Sequence, residues 1–314
     1  MTPSQNPAVR ADGLLGTVSD DNGIAPPAAA GPGLRLVRRL VTNLPRGKVR
    51  IARMLSRVMK ASFVDTVEPA ELGARLVIDP RDPFQLEMWL GTYQPHVVSF
   101  LRHNVRPGAT VLAAGLHIGY VAVLAARLAS RNGRVFSAEP DPAARDAARR
   151  SLELLDAQCA VVRVLPAGLS DSNGSLTINL SATLGQSSFA APHHPRTTEV
   201  VPLRRGDEWL AGEGVTSVDV LILDVEGWEC HALRGLERVL AGSPRLVALI
   251  EVSEWALREA GCNASALFDW LRAHGFELTW AEQVGGRYGV TGAAADAQHI
   301  RAGDVLCVKG GVVD

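Results

Sequence analysis

The stretch TVLAAGLHIGYVAVLAARL, residues 110–128, decides the fold. An apolar run ending at Ala114 leads into Gly115 and Gly119, and helical periodicity begins at Tyr120, so the pattern is strand, glycine turn, helix. In an α/β sheet such a turn is the usual cradle for a nucleotide-like cofactor. Glycine lets the backbone approach a ligand, and the following helix N-terminus attracts anionic groups. The glycines are spaced GxxxG rather than GxGxxG, and the stretch holds no acid, which leaves a buried apolar segment as the alternative. A membrane span does not fit. The uncharged run ends at Arg127, is broken by Gly115, His117 and Gly119, and falls short of the ~20 apolar residues a span needs.

Downstream, strand and helix alternate. RVFSAE reads as a second strand and DPAARDAARRSLELL as a helix with an Asp-Pro start. AVVRVLPAGL reads as a third strand and VDVLILD as a fourth, with GWECHALRGLERVLAG as the helix after it. RLVALIEV is the fifth, followed by a helix over NASALFDWLRAHG with Asn263 as N-cap and Gly275 as stop. FELTWAE and DVLCVKG close the chain as two strands suited to an antiparallel edge. Strands this apolar, separated by helices, indicate an α/β doubly wound, mostly parallel sheet covered on both faces.

Upstream, residues 1–33 carry Pro, Ala, Gly and Asp without hydrophobic period and read as a disordered tail. Residues 34–104 read as an N-terminal helical extension and lead-in, and 105–314 as the main domain. Between residues 31 and 60 there are nine Lys or Arg and no Asp or Glu. Apolar residues at helical spacing (Leu34, Val37, Val41, Leu44; Ile51, Met54, Leu55, Val58) predict two basic amphipathic helices broken at LPRG. Their basic faces are either simply solvated or a surface for anionic lipid or a phosphorylated substrate.

The totals add exclusions. A net charge of -1 gives no global reason to expect nucleic acid. Cys159, Cys230, Cys262 and Cys307 are scattered without a CxxC pair, which argues against a zinc site or disulfide framework and suits a reducing, cytoplasmic setting. His193-His194 has no third ligand spaced to join it, so no metal is expected. The first residues show no signal-peptide pattern and no transmembrane segment is evident. A homo-oligomer is left open.

In a doubly wound sheet, ligands bind beyond the carboxyl ends of the strands. Strand one ends at Gly115, Leu116, His117 and Gly119. Strand two ends at Glu139-Pro140, where an acid can accept hydrogen bonds from both ribose hydroxyls. Strand three runs into Gly168 and Leu169, whose backbone suits the side of an adenine. Strand four ends at Asp224 and Glu226, and strand five at Glu251, with Glu254 nearby. The plainer alternatives are that Glu139, Asp224 and Glu226 only favour helix N-termini, and that Glu251 and Glu254 are a solvated edge.

The order of these pieces resembles the FkbM-type family of S-adenosylmethionine-dependent methyltransferases, which mostly methylate hydroxyls on polyketides and glycans. The resemblance runs from about Met88 to Glu282, through MWLGTYQPHVVSFLRHNVRPGATVLAAGLHIGY, VFSAEPDP, AGLSDSNGSLTI, LGQSSF and, most specific, VDVLILDVEGWECHALRG. It implies a Rossmann-like fold with S-adenosylmethionine as cofactor. Gly115, Leu116, His117 and Gly119 would line the methionine half, Glu139 and Pro140 the ribose, and Gly168 and Leu169 the adenine side. Tyr93 would close over the donor. Asp224 and Glu226 would face the methyl group and the acceptor, with Asp224, His117 and Glu226 as candidate proton acceptors. Gln186, Ser187 and Ser188, in the stretch up to Arg196, together with Glu251, Glu254 and the N-terminal helices, would select a small hydroxylated substrate.

Four positions depart from that family's pattern. Its Asp-x-Gly-Ala-Asn-x-Gly loop has Ala113 in place of Asp and Leu116-His117 in place of Ala-Asn. Its lysine two before the fourth-strand Asp is Ile222, and the Glu after the upstream Tyr is Gln94. Loss of the acid removes about 1.5–3 kcal/mol of charge-assisted hydrogen bonding, or about ten- to a hundredfold in affinity. The sequence therefore points to an O-methyltransferase. A non-catalytic protein on the same fold, or non-methylating use of the same donor, stands as the alternative.

Overall fold

The computed structural model describes residues 27–44, 47–67, 72–181, 184–189, 195–284, 287–294 and 302–311. Residues 1–26, Arg46 and the His193-His194 pair lie outside them. The elements, in chain order, begin with helices α1 (Pro32–Thr42) and α2 (Lys48–Val58), strands β1 (Phe63–Thr66) and β2 (Arg75–Ile78), and helices α3 (Pro83–Leu90) and α4 (Pro95–Asn104). The alternating core follows: β3 (Thr110–Ala114), α5 (Tyr120–Ala129), β4 (Arg134–Ala138), α6 (Pro142–Leu152) and β5 (Val161–Leu165). Next come β6 (Gly168–Ser170), β7 (Gly174–Ser181), β8 (Pro195–Arg205) and α7 (Gly206–Gly212). The chain continues through β9 (Val220–Leu223), α8 (Glu229–Gly235), α9 (Glu237–Ala241), β10 (Leu246–Val252), α10 (Glu254–Glu259) and α11 (Ala264–Ala273). It closes with β11 (Glu277–Val284), β12 (Arg287–Ala294) and β13 (Gly303–Lys309).

The main sheet has eight strands in the order β12-β11-β13-β10-β9-β3-β4-β5. The pairs β5–β4, β4–β3, β3–β9 and β9–β10 are parallel, and β13, β11 and β12 add the antiparallel edge. The expected α/β, doubly wound, mostly parallel sheet is what the chain builds. Alternate residues enter different cores: Val111, Ala113, Val220, Ile222, Val247 and Leu249 join α1–α6. Leu112, Ala114, Leu221, Leu223, Ala248 and Ile250 join the α7–α11 side. A strand buried on both faces has to be apolar at both parities, which explains the unbroken runs in the sequence.

The helix starts follow local chemistry. Asp141 accepts from the N–H groups of Ala143 at 2.8 Å and Ala144 at 3.4 Å, capping α6 ahead of Pro142. Asn263 caps α11 by accepting from Ala266 N–H at 2.8 Å.

Several expectations need correction. The third strand divides, because Pro166 cannot donate to the ladder: β5 stays in the main sheet and β6 joins a separate sheet of order β6-β8-β7. The helix after β9 breaks into α8 and α9. The last residues of the stretch read as tail are ordered: Ala30 N–H donates to Val64 O at 2.9 Å, Val64 N–H donates to Ala28 O at 3.0 Å, and α1 starts at Pro32. The scattered cysteines do not all stay as thiols. Cys230 on α8 and Cys262 before α11 are joined in a disulfide, their Cα atoms 6.5 Å apart. Tertiary folding brings them together across 32 residues, a proximity no local spacing announces.

Candidate functional site

β3 is the switch point of the sheet, paired with β4 on one side and β9 on the other. Beyond the carboxyl ends of these strands lies a cleft of about 830 Å³, open to solvent.

One end of the cleft is the glycine loop. Gly115 has a φ of +91°, and a Cβ there would overlap the carbonyl oxygen of Asp224. The ends of β3 and β9 approach too closely for any other residue. Gly119 begins α5 with no side-chain cap, and a helix N-terminus favours anionic groups. Tyr120 and Val121 of that turn line the cleft, but Gly119 itself packs against Ala148.

Glu139 stands at the end of β4 and lines the cleft while holding the loop. Its Oε2 accepts from the N–H groups of Leu116 at 3.0 Å and His117 at 3.4 Å, and its Oε1 accepts from Asp141 N–H at 2.9 Å. Burial is the largest influence on its carboxyl and pushes the pKa up to about 7, against the backbone donors that favour the anion. A carboxylate has about four acceptor sites, so these bonds leave capacity for a ligand hydroxyl.

The other end is acidic. The turn after β9 carries Asp224 and Glu226 into the cleft. Glu226 has a φ of +54°, and a Cβ on Gly227 would stand 2.6 Å from the Ala256 backbone. Glu229 supports this turn from below: its Oε1 accepts from Val225 N–H at 3.1 Å and Gly227 N–H at 3.3 Å. Gln94 donates to Asp224 Oδ2 at 3.4 Å. Burial raises the pKa of Asp224, and the Asp224 charge raises that of Glu251 well above the usual range. Burial and then Asp224 push Glu226 up to about 8.

His117 sits between the ends, its ring 6.1 Å from that of Tyr93. Burial pushes its pKa down to about 4, with the Leu184 backbone favouring the charged form. Neither ring nitrogen makes a hydrogen bond of normal geometry among the described residues. Tyr93 also lines the cleft, its hydroxyl pKa pushed up by burial.

Residues 184–189 form a strap beside the cleft, with Gly185, Ser187 and Phe189 on its wall. Ser188 pairs with Asn179 of β7 by N–H···O bonds of 2.9 and 3.0 Å. Its Oγ donates to Glu226 O at 2.7 Å, and Ser187 Oγ donates to Asp141 Oδ2 at 2.7 Å. The strap therefore bridges both ends of the cleft.

Of the residues expected from sequence, the cleft gathers Tyr93, Gly115, Leu116, His117, Glu139, Pro140, Gly168, Leu169, Ser187, Asp224 and Glu226. Glu251 stands behind Asp224 rather than on the wall, and Ser188 holds the strap. Two others lie off the cleft wall. Gln186 is exposed. Glu254 faces outward, where it accepts from Ala264 N–H at 2.8 Å and pairs with Arg258. Arg196 lies in β8, its side chain outside the described residues. Sequence reasoning missed Asp141, Phe189, Trp228 and Glu229. The Trp and Glu were legible in DVEGWE, whereas Phe189 arrives only through the strap. Trp228 stacks on His231 at 4.0 Å and tilts against Phe189 at 5.0 Å, its buried Nε1–H without a partner among the described residues. No group of three or more His, Cys, Asp or Glu among the described residues is arranged to hold a metal ion.

Residues 114–278, just over half of the chain, match the model of the methyltransferase FkbM domain. No curated protein sequence matches significantly. Solved structures that resemble the chain include a putative rRNA-methylase from Clostridium thermocellum, at 12% identity and a TM-score of 0.40, covering 68% of this chain and 92% of that one. A SAM-dependent methyltransferase from Aquifex aeolicus is 16% identical with a TM-score of 0.38, over 77% of this chain and 98% of that one. The O-methyltransferase TomG from Streptomyces achromogenes, solved with SAM, is 15% identical with a TM-score of 0.39, over 69% and 78%.

Proposed function

Because the chain belongs to the FkbM methyltransferase family, with S-adenosylmethionine as its methyl donor, we propose that it methylates a hydroxyl of a small molecule, a polyketide-like natural product or a sugar. The observation that carries this reading is the division of the cleft. Loop N–H groups and one carboxylate, Glu139, occupy one end, and the acids Asp224 and Glu226 occupy the other.

The residues present fit the donor. Gly115 lines the cleft with bare backbone, Glu139 keeps an acceptor position beyond its three backbone bonds, and the Trp228 N–H is buried without a partner among the described residues. Gly115, Leu116 and the α5 N-terminus would hold the methionine half, Glu139 and Pro140 the ribose, and Gly168, Leu169 and Phe189 the adenine. When bound, the donor supplies an electrophilic methyl group on a sulfonium.

The chain's own task is placement and proton removal. Holding an acceptor oxygen in line supplies most of the rate in such a displacement. A general base works best with a pKa near the operating pH. Glu226, at about 8, suits that role better than His117 at about 4, and Asp224 would orient the hydroxyl through its second oxygen. His117, neutral at physiological pH, would shape the pocket beside Tyr93.

The test is release of S-adenosylhomocysteine with a panel of hydroxylated acceptors, beside Glu226→Gln and Asp224→Asn. Turnover on hydroxyls that falls at least a hundredfold in the variants supports the reading. Turnover on amines alone, or variants as active as the parent, would overturn it.

A further inference from the structure

α1 and α2 each bury one stripe. Leu34, Val37 and Val41 of α1 and Ile51, Ala52 and Leu55 of α2 turn toward the core around α3. Arg38 is drawn in with them, donating to the Trp89 carbonyl at 3.1 Å. These contacts satisfy the inward faces and leave Leu36, Leu40, Leu44, Val49, Met54 and Val58 exposed, Leu40 by 61% and Val58 by 68%. Eight large hydrophobic residues are exposed among the described residues, and six of them fall within residues 36–58. Folding alone supplies no reason for this concentration, since the helices already have a buried face.

The surrounding charge has one sign. Arg35, Arg39, Arg50, Arg53, Arg57 and Lys60 are exposed on the same two helices and just after them. No acid occurs between residues 31 and 60, although the whole chain carries a net charge of only -1. The i, i+4 spacing of Leu36 with Leu40, and of Arg35 with Arg39, sets an apolar strip beside a basic one on α1. Met54 with Val58 extends the apolar strip on α2, with Arg50, Arg53 and Arg57 beside it.

We propose that α1 and α2 form a docking surface for a membrane rich in anionic lipid. The exposed leucines, Met54 and Val58 enter the boundary between headgroups and acyl chains, and the arginines meet the lipid phosphates. Charge complementarity selects this occupant. A second copy of the chain would bring two acid-free basic faces together, and a neutral partner would leave the arginines unmatched. Docking is peripheral, since no helix among the described residues is long and apolar enough to cross a bilayer. This surface is independent of the cleft and of the reaction assigned to it.

The experiment is co-sedimentation of the full chain with vesicles of phosphatidylcholine alone and of phosphatidylcholine with about 30% phosphatidylglycerol. The chain is expected to sediment with the anionic vesicles and stay in solution with the neutral ones. Leu36→Gln/Leu40→Gln and, separately, Arg35→Gln/Arg39→Gln should each weaken binding about tenfold or more. All four side chains are exposed, and thermal melting confirms that each variant folds. Failure to sediment with anionic vesicles would overturn the proposal. So would sedimentation indifferent to the leucine pair, which would reveal simple electrostatic adhesion. A dimer in light scattering that the leucine substitutions convert to monomer would assign the surface to a second copy instead.

Discussion

Ala113 on β3 and Ile222 on β9 are register partners in the parallel sheet, buried in the same apolar cluster. The family pattern that the sequence resembles places an Asp at the first position and a Lys at the second. Two departures that look independent in the sequence are therefore neighbours in space, and in this chain they meet as an apolar contact. Exchanging a buried ion pair for an apolar contact can be neutral or stabilising, whereas a single remaining partner leaves a buried charge at a cost of about 3–5 kcal/mol.

Ala113→Asp alone should accordingly destabilise the fold by about 3 kcal/mol, and Ala113→Asp/Ile222→Lys should recover most of that loss. Urea unfolding of the parent, both single variants and the double variant measures the coupling. Additive effects would mean that the two sites do not interact.

Glu139 gives a pH dependence whose sign is fixed. Its pKa is raised from 4.5 to about 7, chiefly by burial, so the free protein holds much of it protonated below neutrality. Accepting hydrogen bonds from hydroxyls needs the carboxylate. Donor affinity should therefore rise as pH increases through about 7 and level off above it. Glu139→Gln should flatten this profile, and an unchanged profile in that variant would assign the titration elsewhere.

Glu226 should impose a second profile, on turnover. Its base form appears as pH rises through about 8, so kcat should climb to a plateau above that pH. In Glu226→Gln the climb should vanish along with most of the rate. A pH-independent kcat in the parent would remove Glu226 from the role of base.

The Cys230–Cys262 disulfide closes a loop of 32 residues, and its removal should cost about 3 kcal/mol. Thermal melting of Cys230→Ala/Cys262→Ala, and of the parent with and without reductant, reads this directly. Equal melting temperatures would show that the bond carries no stability.

The alternating core was legible from residue 110 to 252 because burial on both faces forces continuous apolar runs. The small β6-β8-β7 sheet was not, since β7 and β8 are half-exposed and mix polar with apolar residues. In the cleft, the loop glycines and the acids at strand ends could be placed because topology alone sends strand ends to the ligand. Glu254 misled for the same reason. It lies two residues past β10, yet the chain has already turned outward there to meet Ala264. Phe189 reaches the cleft through the strap, a segment far from the strand ends in sequence, whereas Asp141 reads from sequence only as a helix start and its second oxygen meets the distant Ser187.

Calorimetric titration with S-adenosylmethionine and S-adenosylhomocysteine, for the parent and Glu139→Ala, tests the donor site most directly. Binding in the micromolar range that weakens at least about tenfold in the variant is the expected result. No binding up to about millimolar donor, or equal affinity in both proteins, would contradict the placement of the donor in this cleft.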